Sequence, residues 1–156
     1  MATEIERKFL IRGDGWRSAP ALYFCQGYLN RDKNRTVRVR IAGEQAMLTI
    51  KGVSQGISRL EFEYAIPLED ARALLTLCEQ PLIEKYRRVV DYQGKRWEID
   101  EFLGDNQGLI VAEIELESES EPFDLPDWVG SEVSDDPRYF NASLSKYPFK
   151  DWPEQV

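Results

Sequence analysis

The chain has no histidine and only two cysteines in 156 residues. Without histidine, neither a Ser-His nor a Cys-His nucleophile system can be built, and His-ligated zinc is excluded. Cys25 and Cys78 lack metal-type spacing. They read as ordinary buried thiols of a reducing compartment, so a cytoplasmic protein is expected. No run of about 18 apolar residues occurs, so no transmembrane helix or membrane partner is expected. The N-terminus lacks the basic-then-apolar order of a signal peptide. Positive charge is also in deficit, with 20 Lys and Arg against 28 Asp and Glu and a net charge of −8. That balance disfavours nucleic acid, which needs a positive footprint. Chemistry is left to carboxylates, Lys, Arg, Tyr and hard metal ions.

What the chain does have is alternation. At 42% apolar and 12% aromatic residues it can build a packed core, and its length predicts a single domain over residues 1–156. In a strand, residues two apart share a face. Glu4, Glu6 and Lys8 therefore stand together on a first strand over about Thr3 to Ile11, with Ile5 on the other face. The same pattern recurs seven times. A strand over Leu22 to Leu29 puts Phe24, Gln26 and Tyr28 in one phase. Thr36 to Ile41 sets Arg38 and Arg40 against Val37, Val39 and Ile41. Met47 to Lys51 sets Thr49 and Lys51 against Leu48 and Ile50. Arg59 to Ile66 sets Arg59, Glu61 and Glu63 against Leu60, Phe62 and Tyr64. Ile83 to Tyr92 carries Lys85 and Arg87 in phase. Arg96 to Phe102 sets Glu98 and Asp100 against Trp97 and Ile99. Leu109 to Leu116 sets Glu113 and Glu115 against Ala112, Ile114 and Leu116.

Between strands, Asn30 to Asn34, Gly43-Glu44 and Gln93-Gly94 read as turns, and Gly52 to Gly56 as a mobile loop. The period changes to helical from Pro67 to about Glu79, where Leu68, Ala71, Leu74, Leu75 and Cys78 form one stripe. After an acidic loop at Ser118 to Glu121, Pro122 to Gly130 reads as an ordered lid or packing segment. A helix is predicted from Pro137 to about Lys146, started by Asp135, Asp136 and Pro137. Tyr147 to Val156 is expected to trail along the surface.

Spacing alone leaves two architectures open. In a sandwich the apolar faces meet and the charges are solvated. In a closed eight-stranded barrel the charged faces line the interior, which can hold side chains or one small ligand. The signs cluster by strand, basic at Arg38/Arg40 and Lys85/Arg87, acidic at Glu98/Asp100 and Glu113/Glu115. Like charges repel, so such clustering wants ligands of opposite sign: hard cations for the carboxylates, phosphate for the arginines.

The ordered set Glu4-x-Glu6-x-Lys8, Arg38-x-Arg40, Lys51, Arg59-x-Glu61-x-Glu63, Lys85-x-Arg87, Asp100 and Glu113-x-Glu115 resembles the CYTH superfamily, the triphosphate tunnel metalloenzymes. The resemblance implies a mainly β, α+β fold: a closed eight-stranded antiparallel barrel with flanking helices around a charged tunnel. It implies Mg²⁺ or Mn²⁺, with Glu4, Glu6, Asp100, Glu113 and Glu115 facing metal. It implies a triphosphate clamp of Lys8, Arg38, Arg40, Lys51, Arg59, Lys85 and Arg87, with a less secure match at Lys146. Glu63 resembles an acidic position at the tunnel's centre, and Tyr28 with Lys8 a proton-handling pair. The Gln26-Gly27-Tyr28 run and the Arg138-Tyr139…Asn141 tail look most like small bacterial members that hydrolyse inorganic triphosphate to diphosphate and phosphate. ATP cyclisation to cyclic AMP, thiamine triphosphate hydrolysis and non-catalytic polyphosphate or nucleotide binding are the alternatives. The partner expected is a small polyanion, a nucleoside triphosphate included. The oligomeric state stays open, a homodimer included.

Overall fold

The computed structural model of the chain describes residues 3–153. Eight strands form the barrel: β1 (Thr3–Ile11), β2 (Ala21–Asn30), β3 (Arg35–Ala42), β4 (Gln45–Gly52), β5 (Ser58–Ala65), β6 (Glu79–Tyr92), β7 (Lys95–Phe102) and β8 (Ile110–Glu115). Their order is β5-β4-β3-β2-β6-β7-β8-β1, and antiparallel pairing of β1 with β5 closes the ring. The expected closed barrel is therefore the observed fold. In this order β1 and β2 stand diametrically opposite, four strands apart by either route.

Local chemistry makes the hairpins. Gln93 and Gly94 both have positive φ, 50° and 77°, the pair of angles that a tight two-residue hairpin needs. Helix α1 (Leu68–Leu77) buries Ala71 and Leu75, and Glu69 and Asp70 occupy its first turn, where carboxylates complement the helix dipole. With Cys78 the helix covers Val39 and Ala46 on the outside of the barrel. Gly27 lets β2 approach this helix end: a Cβ there would lie 2.7 Å from Cβ of Cys78.

A second outer cluster packs Phe9, Trp16, Trp97, Ile99, Ala112 and Ile114, with Phe123 and Trp128 against it. The expected packing role of 122–130 thus holds, but the segment continues into a strand that sequence alone did not reveal. This is β9 (Val129–Glu132), paired with β1 at Phe9 and Ile11. Its place exists because β5 pairs with β1 only over Thr3–Ile5, which leaves the rest of that edge free.

The C-terminal part differs more. The predicted helix from Pro137 to Lys146 is broken. A 3-10 turn at Pro137–Tyr139, capped by the Asp136 carboxylate, is followed by extended Phe140 and a short helix, α2 (Asn141–Lys146). Nor does the tail trail along the surface as expected. Phe149 and Trp152 are buried with Leu144 against Ile83, Phe102, Leu109 and Val111. Ile83 is in phase with Lys85, Phe102 with Asp100, and Val111 with Glu113, so these three belong to the inner face. The tail thus fills one end of the barrel. Residues 154–156 of that segment lie outside the described residues. Among the described residues no helix is long and apolar enough to cross a membrane.

Candidate active site

The charged phases point inward. They line a cavity of about 210 Å³ inside the barrel. Of the residues singled out from the sequence, Glu4, Glu6, Lys8, Tyr28, Arg38, Arg40, Lys51, Arg59, Glu63, Lys85, Arg87, Glu113 and Glu115 line it. Glu63 lies at a more open part of the wall than its expected central place: its side chain is 38% exposed, accepts from Thr49 Oγ1 at 2.9 Å and lies 3.7 Å from Arg38. Lys146 is exposed and does not line the cavity.

Asp100 is brought to a different place from the other carboxylates. It is fully buried behind the wall and holds two cations. Lys85 Nζ donates to Oδ2 at 2.7 Å, and Arg87 donates from Nε to Oδ1 at 2.7 Å and from a terminal nitrogen to Oδ2 at 2.8 Å. Burial alone would raise the Asp100 carboxyl, but Arg87 and Lys85 outweigh it and hold it at about 2. Lys85 is pushed down to about 7, first by burial, then by Arg87 and Arg40 against the pull of Asp100. The two directions agree physically: one carboxylate serves two cations, so the carboxylate is over-compensated and Lys85 is not.

Strand order separates the signs. β3, β2 and β6 form a basic wall with Arg38, Arg40, Lys85 and Arg87. Phe24, in phase with Gln26 and Tyr28, lies beneath it: Arg40 and Arg87 sit 4.9 and 4.8 Å from its ring centroid and Lys85 5.7 Å. An aromatic face stabilises cations without neutralising them. Arg40 is pushed down by burial and by Arg38 and Arg87, yet a guanidinium keeps its proton at working pH.

β7, β8 and β1 form the acidic wall. Glu6 lies directly across from Glu115, and Glu98 across from Glu113, and like charges in such positions repel. Lys8 relieves part of this, with Nζ 3.1 Å from Glu6 and 3.2 Å from Glu113. Burial works against the Lys8 charge, but Glu113, Glu6 and Glu4 raise its pKa above the ordinary lysine value. Lys51 donates to both oxygens of Glu4, at 3.0 and 2.8 Å. Despite burial, Lys51, Arg59 and Lys8 hold Glu4 at about 2, and Lys8 and Lys51 do the same for Glu6. Glu115 has no such help. Burial, then Glu4, Glu61, Glu6 and Glu98, raise it to about 7.

Tyr28 and Lys8 both line the cavity, from opposite walls, and no hydrogen bond joins them among the described residues. Sequence reasoning also left Phe24, Gln26, Glu98 and Asn141 out of the site. The first three were visible as in-phase positions. Asn141 had no phase to betray it, because it arrives from α2.

A family model described as the CYTH domain matches residues 2–146. The chain belongs to the CYTH family. A protein named inorganic triphosphatase from Acetivibrio thermocellus is 50% identical over 156 residues, 99% of this chain and 100% of its own. Another inorganic triphosphatase, from Nitrosomonas europaea, is 34% identical over 92% of this chain and 97% of its own. A crystal structure of an inorganic triphosphatase superposes with a TM-score of 0.64 at 33% identity, covering 90% of this chain and 96% of that one. The barrel fold is thus shared with a protein named inorganic triphosphatase.

Among the described residues no three Asp, Glu or Cys side chains form a ready-made metal cluster. The donor chemistry fits a hard divalent ion: carboxylates on adjacent strands, two pairs directly opposed, and at Glu115 a carboxyl with no ion-pair partner among the described residues.

Proposed function

We propose that this CYTH protein hydrolyses inorganic triphosphate to diphosphate and phosphate within its tunnel, as a single domain with a divalent cation, Mg²⁺ or Mn²⁺. The observation that carries this is the facing of a four-cation wall and a carboxylate wall across one cavity of about 210 Å³. Its two curated relatives named inorganic triphosphatase span nearly the whole chain. Triphosphatases of this family are generally metal-dependent.

Phosphoryl transfer is mainly positioning and charge neutralisation. Arg38, Arg40, Lys85 and Arg87 bind the phosphate oxygens and stabilise the charge that develops on the leaving diphosphate. Asp100 orients Lys85 and Arg87 from behind. Lys8, kept charged by Glu6 and Glu113, binds from the opposite side, and Tyr28 supplies a neutral donor beside the basic wall. Glu6, Glu113 and Glu115 would hold the divalent ion, with Glu4 adjacent on β1. When bound, that ion supplies charge neutralisation and lowers the pKa of a bound water. The substrate is a small polyanion, and a reducing cytoplasm suits the two free thiols.

The deciding experiment incubates the protein with tripolyphosphate, ATP or thiamine triphosphate, each with Mg²⁺ or Mn²⁺. Release of phosphate from tripolyphosphate well above the other two is expected. Cyclic AMP from ATP without tripolyphosphate turnover would replace this reading.

A further inference from the structure

One polar side chain in the tunnel wall comes from outside the barrel. Asn141, the first residue of α2, accepts two hydrogen bonds on Oδ1, from Lys85 Nζ at 3.0 Å and from Gln26 Nε2 at 2.9 Å. Gln26, fully buried on β2, accepts in turn from Arg40 Nε at 2.8 Å. The polarity of this relay has one solution. Arg and Lys only donate, so the Gln26 carbonyl must meet Arg40 and the Asn141 carbonyl must meet Lys85. The Gln26 amide is then left to join the two, and flipping either amide sets donor against donor.

The relay also does something a carboxylate would not. Arg87 is held by Asp100 and gives up part of its charge to that contact. Among the described residues, Gln26 is the one hydrogen-bond partner of Arg40. A neutral acceptor fixes the direction of a guanidinium and leaves its whole charge for a ligand. The segment bringing Asn141 is anchored independently, by buried Leu144 and by Arg31, which donates to the Ser145 carbonyl at 3.0 Å.

We infer that Gln26 and Asn141 are positioning residues for triphosphate binding. Together they fix Arg40 and Lys85 in the basic wall, so that docking of the C-terminal segment completes the clamp. This rests on the triphosphatase reading above.

The test compares wild type with Gln26→Met, Asn141→Leu and the double variant, each similar in volume and unable to make the relay. Two quantities are measured: KM and kcat for tripolyphosphate, and the affinity for imidotriphosphate, a non-hydrolysable analogue, by titration calorimetry. Each single variant should raise KM and weaken analogue binding about tenfold, the loss of one charge-assisted hydrogen bond, with a smaller change in kcat. The double variant should lose less than the sum of the two singles, because both break the Gln26–Asn141 bond. Ser145→Ala, which removes a hydroxyl that meets only the Ala142 carbonyl and Arg31 and keeps the backbone carbonyl that Arg31 holds, should leave KM unchanged. Asn141→Ser replaces Asn141→Leu if the latter fails to melt cooperatively. Unchanged KM and analogue affinity in the single variants, or fully additive losses in the double, would overturn the inference. Absence of tripolyphosphate turnover in the wild type would instead overturn the triphosphatase reading, and the analogue titration would still decide the relay.

Discussion

Lys85 and Asp100 form an ion pair at 2.7 Å in which neither side chain has any solvent exposure. A buried pair is costly to make and more costly to break, because removing one partner strands the other's charge. Asp100→Ala should therefore destabilise the metal-free protein by about 3–5 kcal/mol. Urea unfolding in EDTA measures it. An unchanged midpoint would mean that Asp100 carries no structural charge and is free to act at a metal.

Acid should find the same group. Asp100, Glu4 and Glu6 are all held at about 2, below their ordinary 3.8 and 4.5. Their folded pKa values are depressed, so the unfolded chain takes up protons first as pH falls. Their contribution to stability is complete above the ordinary values and is lost as pH drops from there toward 2. The gap in urea midpoint between wild type and Asp100→Asn should shrink over that window. A gap constant with pH would refute the assignment.

Glu115 carries the opposite sign. Its carboxyl is raised to about 7 by burial and four carboxylates, so its ionised form works against the metal-free fold. Glu115→Gln should raise the melting temperature in EDTA at pH 8 while abolishing turnover, and Glu113→Gln should abolish turnover too. Added Mg²⁺ or Mn²⁺ should stabilise wild type by mass action and Glu115→Gln less. Near-normal turnover in both variants would remove these carboxylates from the metal site.

Much of this site could be read from the sequence because alternation in a strand is a strict geometric rule. Once Lys8, Arg38, Lys85 and Glu113 are in phase, closing the barrel brings them together whatever the loops do. The parts that escaped are those without a period. β9 is four residues long with Gly130 and Ser131 in its middle, and it is a strand only because β1 has a vacant edge. Phe140 interrupts a helical pattern by turning extended, and nothing in Arg138-Tyr139-Phe140-Asn141 marks that break. The buried tail did carry a signal, the aromatic density of Tyr147, Phe149 and Trp152, but density gives no address.

The clamp itself is tested by Arg38→Ala and Arg40→Ala. Each should weaken imidotriphosphate binding by about 1.5–3 kcal/mol. Exposed substitutions usually stay within about 0.5 kcal/mol in stability, so a calorimetric titration beside a thermal melt separates a lost contact from a lost fold.

Lys8 is raised above the ordinary lysine value by its carboxylate neighbours, so it stays protonated throughout the working range. Lys8→Arg should therefore keep the shape of the wild-type pH–rate profile, whatever it does to the rate. Disappearance of an alkaline limb in that variant would restore Lys8 as a proton acceptor.

The barrel end filled by Leu144, Phe149 and Trp152 gives the catalyst a polarity. A tunnel stoppered at one end admits a linear phosphate chain by its terminus, so the reacting bond is chosen by distance from the chain's end. Longer linear polyphosphates would be trimmed from that end, and cyclic trimetaphosphate, which has no end to offer, would be refused.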